Sequence, residues 1–172
     1  MKEFVFGRFK RPIISIPRSN FEIAVEAIAI IGVFTSLFIL LNNYFDLPDR
    51  IPTHYCADGA PNAYGGKWTL SILPVANLFM YSLLTLIRKI PHYYNYPWPI
   101  TEENAPRMYQ AGLVTIACVK MEIIWLFTYL EWTTVRVAMG EAQGVGSWFL
   151  PVTLTVLIGT LIIQILQMNA AK

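Results

Sequence analysis

The sequence is short of charge. Asp, Glu, Lys and Arg make up 14% of its 172 residues, against roughly 25% in a soluble domain, which must solvate its own surface. So little charge cannot clothe a water-facing exterior, and this argues against an ordinary soluble globule. Cysteine is scarce too: Cys56 and Cys118 are too few for a disulfide framework. Cys56 falls in a polar loop and Cys118 in the middle of an apolar run, so the two are expected at different depths. Histidine occurs only as His54 and His92. There is no Cys-x-x-Cys-His, His-Glu-x-x-His, Gly-x-Ser-x-Gly or phosphate-binding loop. A basic stripe interleaved with aromatics is also missing, which sets nucleic acid aside as a partner. The chain is read as a non-enzyme, with no cofactor assigned.

What the chain does have is apolar length: 55% of its residues are hydrophobic. A helix crossing a hydrocarbon core of about 30 Å needs roughly 20 such residues. Residues 21–41, 68–86, 109–130 and 148–166 meet that length, with Pro, Gly and charge between them. A membrane β-barrel would show shorter alternating segments instead. The expected fold is all-α: an integral membrane four-helix bundle formed by a single domain over residues 21–172. Residues 1–20 form a basic arm for the membrane surface, with Phe4, Phe6 and Phe9 among the cations. The first apolar run is too long for a signal peptide core and lacks a small-residue cleavage site, so it is read as retained.

Basic residues set the orientation. Lys2, Arg8, Lys10, Arg11, Arg18, Arg88, Lys89, Arg107 and Lys172 fall on one face, against Arg50, Lys67 and Arg136 on the other. Both termini are therefore expected in the cytoplasm, with loops one and three outside. Trp68, Trp98, Trp132 and Trp148 stand near span ends, where an aromatic belt belongs.

Four ionisable residues fall inside the spans. Glu22 follows Ser19-Asn20-Phe21 in a capping-box pattern and serves the helix start on that reading. Glu26 is one turn deeper. Lys120 sits near the middle of the third span, and Glu122, two residues on, faces another side of the helix. Intramembrane charge suggests function by default, with a partner. A proton or ion pathway is the sharper reading of Glu26, Lys120 and Glu122. An inter-helix structural pair is preferred, since one lysine and one glutamate do not make a relay; Lys120 could also snorkel. His92 stands in an aromatic loop, where it could ligate a haem iron or a chlorophyll magnesium, though an ordinary interfacial role is preferred.

Residues 42–67 form the most distinctive loop. Pro48, Pro52, Gly59, Pro61, Gly65 and Gly66 supply turn chemistry, and a long loop of this kind is expected to be ordered and functional. His54, Cys56 and Asp58 alternate and offer nitrogen, sulfur and oxygen, but at no established metal spacing. Hydrogen bonding of His54 and Asp58 within the loop is preferred.

This loop also carries a resemblance. Leu47-Pro48-Asp49-Arg50-Ile51-Pro52-Thr53-His54, then Gly59-Ala60-Pro61-Asn62, then Gly65-Gly66-Lys67, resembles the signature of the bacterial membrane family known as domain of unknown function 1648. Pro48, Ile51, Pro52, His54, Gly59, Pro61 and Lys67 match it, with weaker likeness at residues 96–104, Tyr109, Glu131 and Trp132. Asn62 stands where the family usually has Asp, and Tyr55-Cys56 replace a Phe-Asn-like pair. The family includes a toxin-immunity protein in which this domain precedes a further membrane domain; the present sequence has length for the first part plus a fourth helix. The resemblance implies a bacterial inner-membrane protein of immunity or signalling type. Its extracytoplasmic loop would bind a ligand or peptide through His54, Asp58, Gly59, Pro61, Asn62 and Lys67.

The alternative is a small accessory subunit of a larger membrane complex, contacting lipids, haem or pigments, with Gly32, Gly112 and Gly159 letting helices approach. A transporter built on Glu26, Lys120 and Glu122 ranks last, because the spans show neither repeats nor broken helices.

Overall fold

In the computed structural model, residues 3–6 and 9–171 are described. Strands β1 (Glu3–Phe6) and β2 (Phe9–Pro12) pair antiparallel, with Glu3 opposite Pro12 and Phe6 opposite Phe9. The basic arm thus contains a hairpin, which the prolines foreshadowed only as the lack of a helix. Lys2, Arg8 and Lys172 lie outside the described residues.

Helix α1 (Asn20–Asn43) starts at the expected capping box. The Ser19 hydroxyl accepts from the Glu22 N–H at 3.1 Å, and the Glu22 carboxylate accepts from the Ser19 N–H at 3.3 Å. Strands β3 (Arg50–Tyr55) and β4 (Pro61–Gly66) follow as a second hairpin. A 3₁₀ turn at Lys67–Ser71 leads into α2 (Ile72–Ile87). Helix α3 (Ala105–Ala138) runs for 34 residues and α4 (Phe149–Ala171) for 23. The four helices are long and apolar enough to cross a membrane. Their outward faces carry Phe21, Phe34, Phe38, Phe79, Ile162 and Leu166, as lipid contact requires. The chain is a multi-pass membrane protein.

Helix α3 corrects the expected third span. Its end at residue 130 was drawn by hydropathy, but Glu131–Ala138 contains neither Gly nor Pro, so nothing stops the helix. It stops just before Gly140, whose φ of +77° only glycine adopts readily. At 1.5 Å per residue it is about 51 Å long, so its ends emerge from the hydrocarbon. Glu131 and Trp132, placed in the third loop by hydropathy, are helical.

Helix α3 is also the hub, since α1, α2 and α4 all pack on it. Against α1 the contact is close because Gly32 has no side chain: a Cβ there would lie 2.8 Å from Cγ2 of Ile124. Gly112 is tight as well, but against the hydroxyl of Tyr96 in the second loop rather than another helix. Gly159 meets nothing within 4 Å, so its expected role in helix approach fails in the described structure. Helix α4 buries only Gln164 and Met168. Gly32→Leu should force α1 off α3 and cost about 1–3 kcal/mol, read as unfolding at a lower mole fraction of denaturing detergent.

At the end bearing β1 and β2, the second loop folds back under the helices. The Arg11 guanidinium donates to the carbonyls of His92 at 3.0 Å and Tyr94 at 2.6 Å. Tyr94 and Tyr96 donate to the carbonyls of Ile87 and Pro91, and Tyr109 donates to that of Pro12. The His92 ring tilts against Tyr93 with centroids 4.6 Å apart, and burial, helped by Arg11, lowers its pKa. Burial pushes the Tyr94 phenol up to about 12 and raises Tyr96 as well. Unfolded, both ionise near about 10. The unfolded state therefore loses these protons first, so stability falls as pH rises above about 10. For Tyr94 the loss continues to about 12. Tyrosinate absorbance during alkaline titration should show late-ionising phenols, and Tyr94→Phe should remove one of them.

Candidate functional site: a locked hairpin over a polar seam

The β3–β4 hairpin pairs Arg50 with Gly66, Ile51 with Gly65 and Pro52 with Tyr64, then shifts register around His54. Its turn is closed by Cys56 N–H to Ala60 O at 2.8 Å and Gly59 N–H to Cys56 O at 2.9 Å, with Asp58 accepting from the Ala60 N–H at 3.0 Å. Asp58 is thus used within the turn. His54 Nδ1 lies 2.6 Å from Oδ1 of Asn62. An amide oxygen only accepts, so Nδ1 carries the proton and Nε2 is the acceptor in the neutral ring. The neutral Asn62 side chain makes this bond without adding a charge. Lys67 serves the hairpin base: its Nζ reaches Leu47 O at 3.4 Å and lies 5.6 Å from the Tyr44 ring centroid. The residues proposed for ligand binding therefore separate. His54 and Asn62 act together, Asp58 and Gly59 build the turn, Pro61 pairs with Tyr55, and Lys67 holds the base.

Three contacts fix the hairpin on the bundle. Ile51, fully buried, packs with Ile39, Leu47, Leu70 and Val135. The Tyr55 hydroxyl lies 3.0 Å from that of Thr134 on α3, and burial raises the Tyr55 pKa. The third contact is backbone on backbone: Val145 N–H donates to Gly59 O at 2.9 Å. A Cβ on Gly59 would come within 2.6 Å of the Gly146 backbone, and one on Gly144 within 2.0 Å of Gly59 O. No motif in the sequence marks Gly144 and Gly146 for this contact.

Below the hairpin a polar seam runs between α1, α2 and α3. Lys120 donates to both Glu26 oxygens at 2.9 and 2.7 Å and to the Thr85 hydroxyl at 3.0 Å. Tyr81 donates to Glu26 at 2.8 Å, and its ring centroid is 4.6 Å from Lys120 Nζ. The ammonium's three donors are all used, so the inter-helix pair fits the geometry and no snorkelling occurs. Glu22 does more than cap: Arg88 reaches it at 3.0 Å and Gln110 at 2.8 Å. Glu122 points elsewhere, as its spacing implied, and accepts from Thr160 on α4.

Further along, Asn77 of α2 donates to Thr128 of α3 at 3.2 Å, and Thr128 reaches the carbonyls of Gly32 and Ile124. Ser36 of α1 donates to Glu131. Ser36, Asn77 and Glu131 are each wholly buried. Sequence reading missed this layer. The signal was the spacing of Thr128, Glu131 and Thr134 along one helix face, hidden when the span was ended at 130. Among the described residues no three His, Cys, Asp or Glu side chains group as metal ligands.

Residues 30–78 match the family model described as Domain of unknown function (DUF1648). The likeness to that domain is confined to this segment. The matched segment covers most of α1, the whole hairpin and the first part of α2, so it includes Gly32, Ser36, Tyr55 and Asn77. No curated protein and no solved structure matches the chain.

Removing one partner of a buried pair leaves the other charge stranded, at about 3–5 kcal/mol. Lys120→Met should therefore destabilise the bundle by that order, and adding Glu26→Gln to it should recover most of the loss. Detergent-unfolding midpoints of the wild type and the two variants check this.

Proposed function

We propose that the chain is a non-enzymatic bacterial membrane protein of immunity or signalling type, in the inner membrane with both termini cytoplasmic. Its β3–β4 hairpin lies outside and recognises a ligand, a peptide being the class that fits best. The observation that carries this reading is the locked hairpin. It is pinned by Gly59–Val145, Tyr55–Thr134 and Ile51, yet it keeps the His54–Asn62 pair exposed. A surface ordered before binding loses little entropy on association. A two-stranded hairpin also has open strand edges, to which an extended peptide can add. The basic residues at the ends of the spans support this orientation.

The test is hydrogen–deuterium exchange of the detergent-solubilised chain, with and without the peptide fraction secreted by the source cells and their neighbours. Protection is expected over residues 50–66. His54→Ala removes Nε2 and the bond to Asn62, and should weaken that protection about tenfold in ligand concentration. Equal protection in wild type and variant, or none in either, would sink the reading.

One observation favours the alternative of an accessory subunit: α4 buries only two side chains and leaves Leu154, Ile158, Leu161 and Ile165 exposed. Stoichiometric co-purification with a larger complex from mild detergent would turn the assignment that way.

A further inference from the structure

The layer of Ser36, Asn77, Thr128 and Glu131 holds one carboxyl group, and among the described residues no ion pair to it is seen. Among the described residues Oε1 of Glu131 and Oδ1 of Asn77 have no hydrogen-bond partner, though both residues are wholly buried. Two orphaned acceptors in the same layer is an expensive arrangement unless something positive faces them. Among the described residues, Lys120, Arg136, Arg50 and Lys67 are engaged elsewhere. Lys120, eleven residues and about 16 Å from Glu131 along α3, is held by Glu26. Arg136 pairs with Glu141, Arg50 donates to Tyr64 O, and Lys67 is at Leu47 and Tyr44.

The chemistry of the layer defines what would fit. Its groups are a carboxylate, an amide carbonyl and two hydroxyls, with the Gly32 carbonyl beside Thr128. All are hard oxygen donors, with neither nitrogen nor sulfur acceptors among them, which selects a hard cation. A single carboxylate balances a single positive charge, whereas a divalent ion would leave net charge buried. A cavity of about 240 Å³ lies between the hairpin and the ends of α2 and α3, lined by Thr53, Tyr55, Thr69, Leu130 and Thr134 among others. Leu130 is Glu131's neighbour in the chain, and Thr134 is one turn on.

We propose that this layer is a sodium site, with Glu131 and Asn77 as ligands and Ser36 and Thr128 beside them. It is independent of what the hairpin recognises, so its failure would leave that reading untouched.

The experiment is equilibrium binding of radioactive sodium to the full chain in detergent, with choline chloride holding ionic strength constant. Wild type should bind saturably, one ion per chain, with displacement by unlabelled sodium chloride. Glu131→Gln and Asn77→Ala should each weaken binding by at least about tenfold. Glu122→Gln, whose carboxyl faces α4, should leave it unchanged. In parallel, the melting temperature of wild type should be higher in sodium chloride than in choline chloride, and that of Glu131→Gln should be equal in both. If Glu131→Gln does not fold, Ser36→Ala and Asn77→Ala carry the same comparison. Wild type with neither saturable binding nor a sodium-dependent melting temperature overturns the proposal, and a proton on Glu131 then takes the cation's place.

Discussion

A lysine in the middle of a hydrocarbon layer must have its charge answered inside the protein, and that requirement organises the bundle. Lys120 can be answered only if α1 brings Glu26 and α2 brings Tyr81 and Thr85 to the same level. Apolar side chains cannot set this register, because lipid satisfies them at any depth. The ion pair fixes the height and rotation of three helices together. With α1 and α3 so placed, Gly32 falls opposite Ile124, and the missing Cβ lets the backbones close. Glu22 with Arg88 and Gln110 repeats the device one turn away.

The hairpin end is built on a different principle. Here the contacts are backbone to backbone, Gly59 against Gly144 to Gly146, with one hydroxyl pair joining Tyr55 to Thr134. Such contacts tolerate no side chain, so they fix position without contributing much apolar burial. Burial comes from Ile51, enclosed by α1, α3 and the turn that starts α2. The hairpin is therefore fixed on the bundle, although its turn and the His54–Asn62 pair are exposed.

The spans could be read from the sequence because the demand for apolar length is local and unconditional. The cap at Ser19 and Glu22 could be read for the same reason. Glu131 could not, because hydropathy ends a span at the first charge whether or not the helix ends there. The backbone follows Gly and Pro, and the next of these is Gly140. The partners of Glu26 and Lys120 were foreseeable as a type, but not that Tyr81 and Thr85 would complete the set, since helix rotation is a tertiary property. In the loop, the intramolecular use of His54 and Asp58 was legible from their residue types. The hairpin pairing was not, because Pro52 and Pro61 disguise a strand pattern. Gly159 shows the reverse error: a small residue permits a close approach but does not cause one.

The matched segment ends at residue 78, and the structure explains why it is not the whole functional unit. Ser36, Tyr55 and Asn77 lie within it, but each meets its partner on α3: Glu131, Thr134 and Thr128. Gly59 likewise meets Val145 in the third loop. Separated from α3, the segment would expose Ser36 and Asn77 to lipid and leave the hairpin attached only at its base. A hydroxyl or amide facing hydrocarbon is costly, so α3 is what makes this segment viable in a membrane. The hairpin and α3 are therefore parts of one structural unit, joined where Tyr55 meets Thr134.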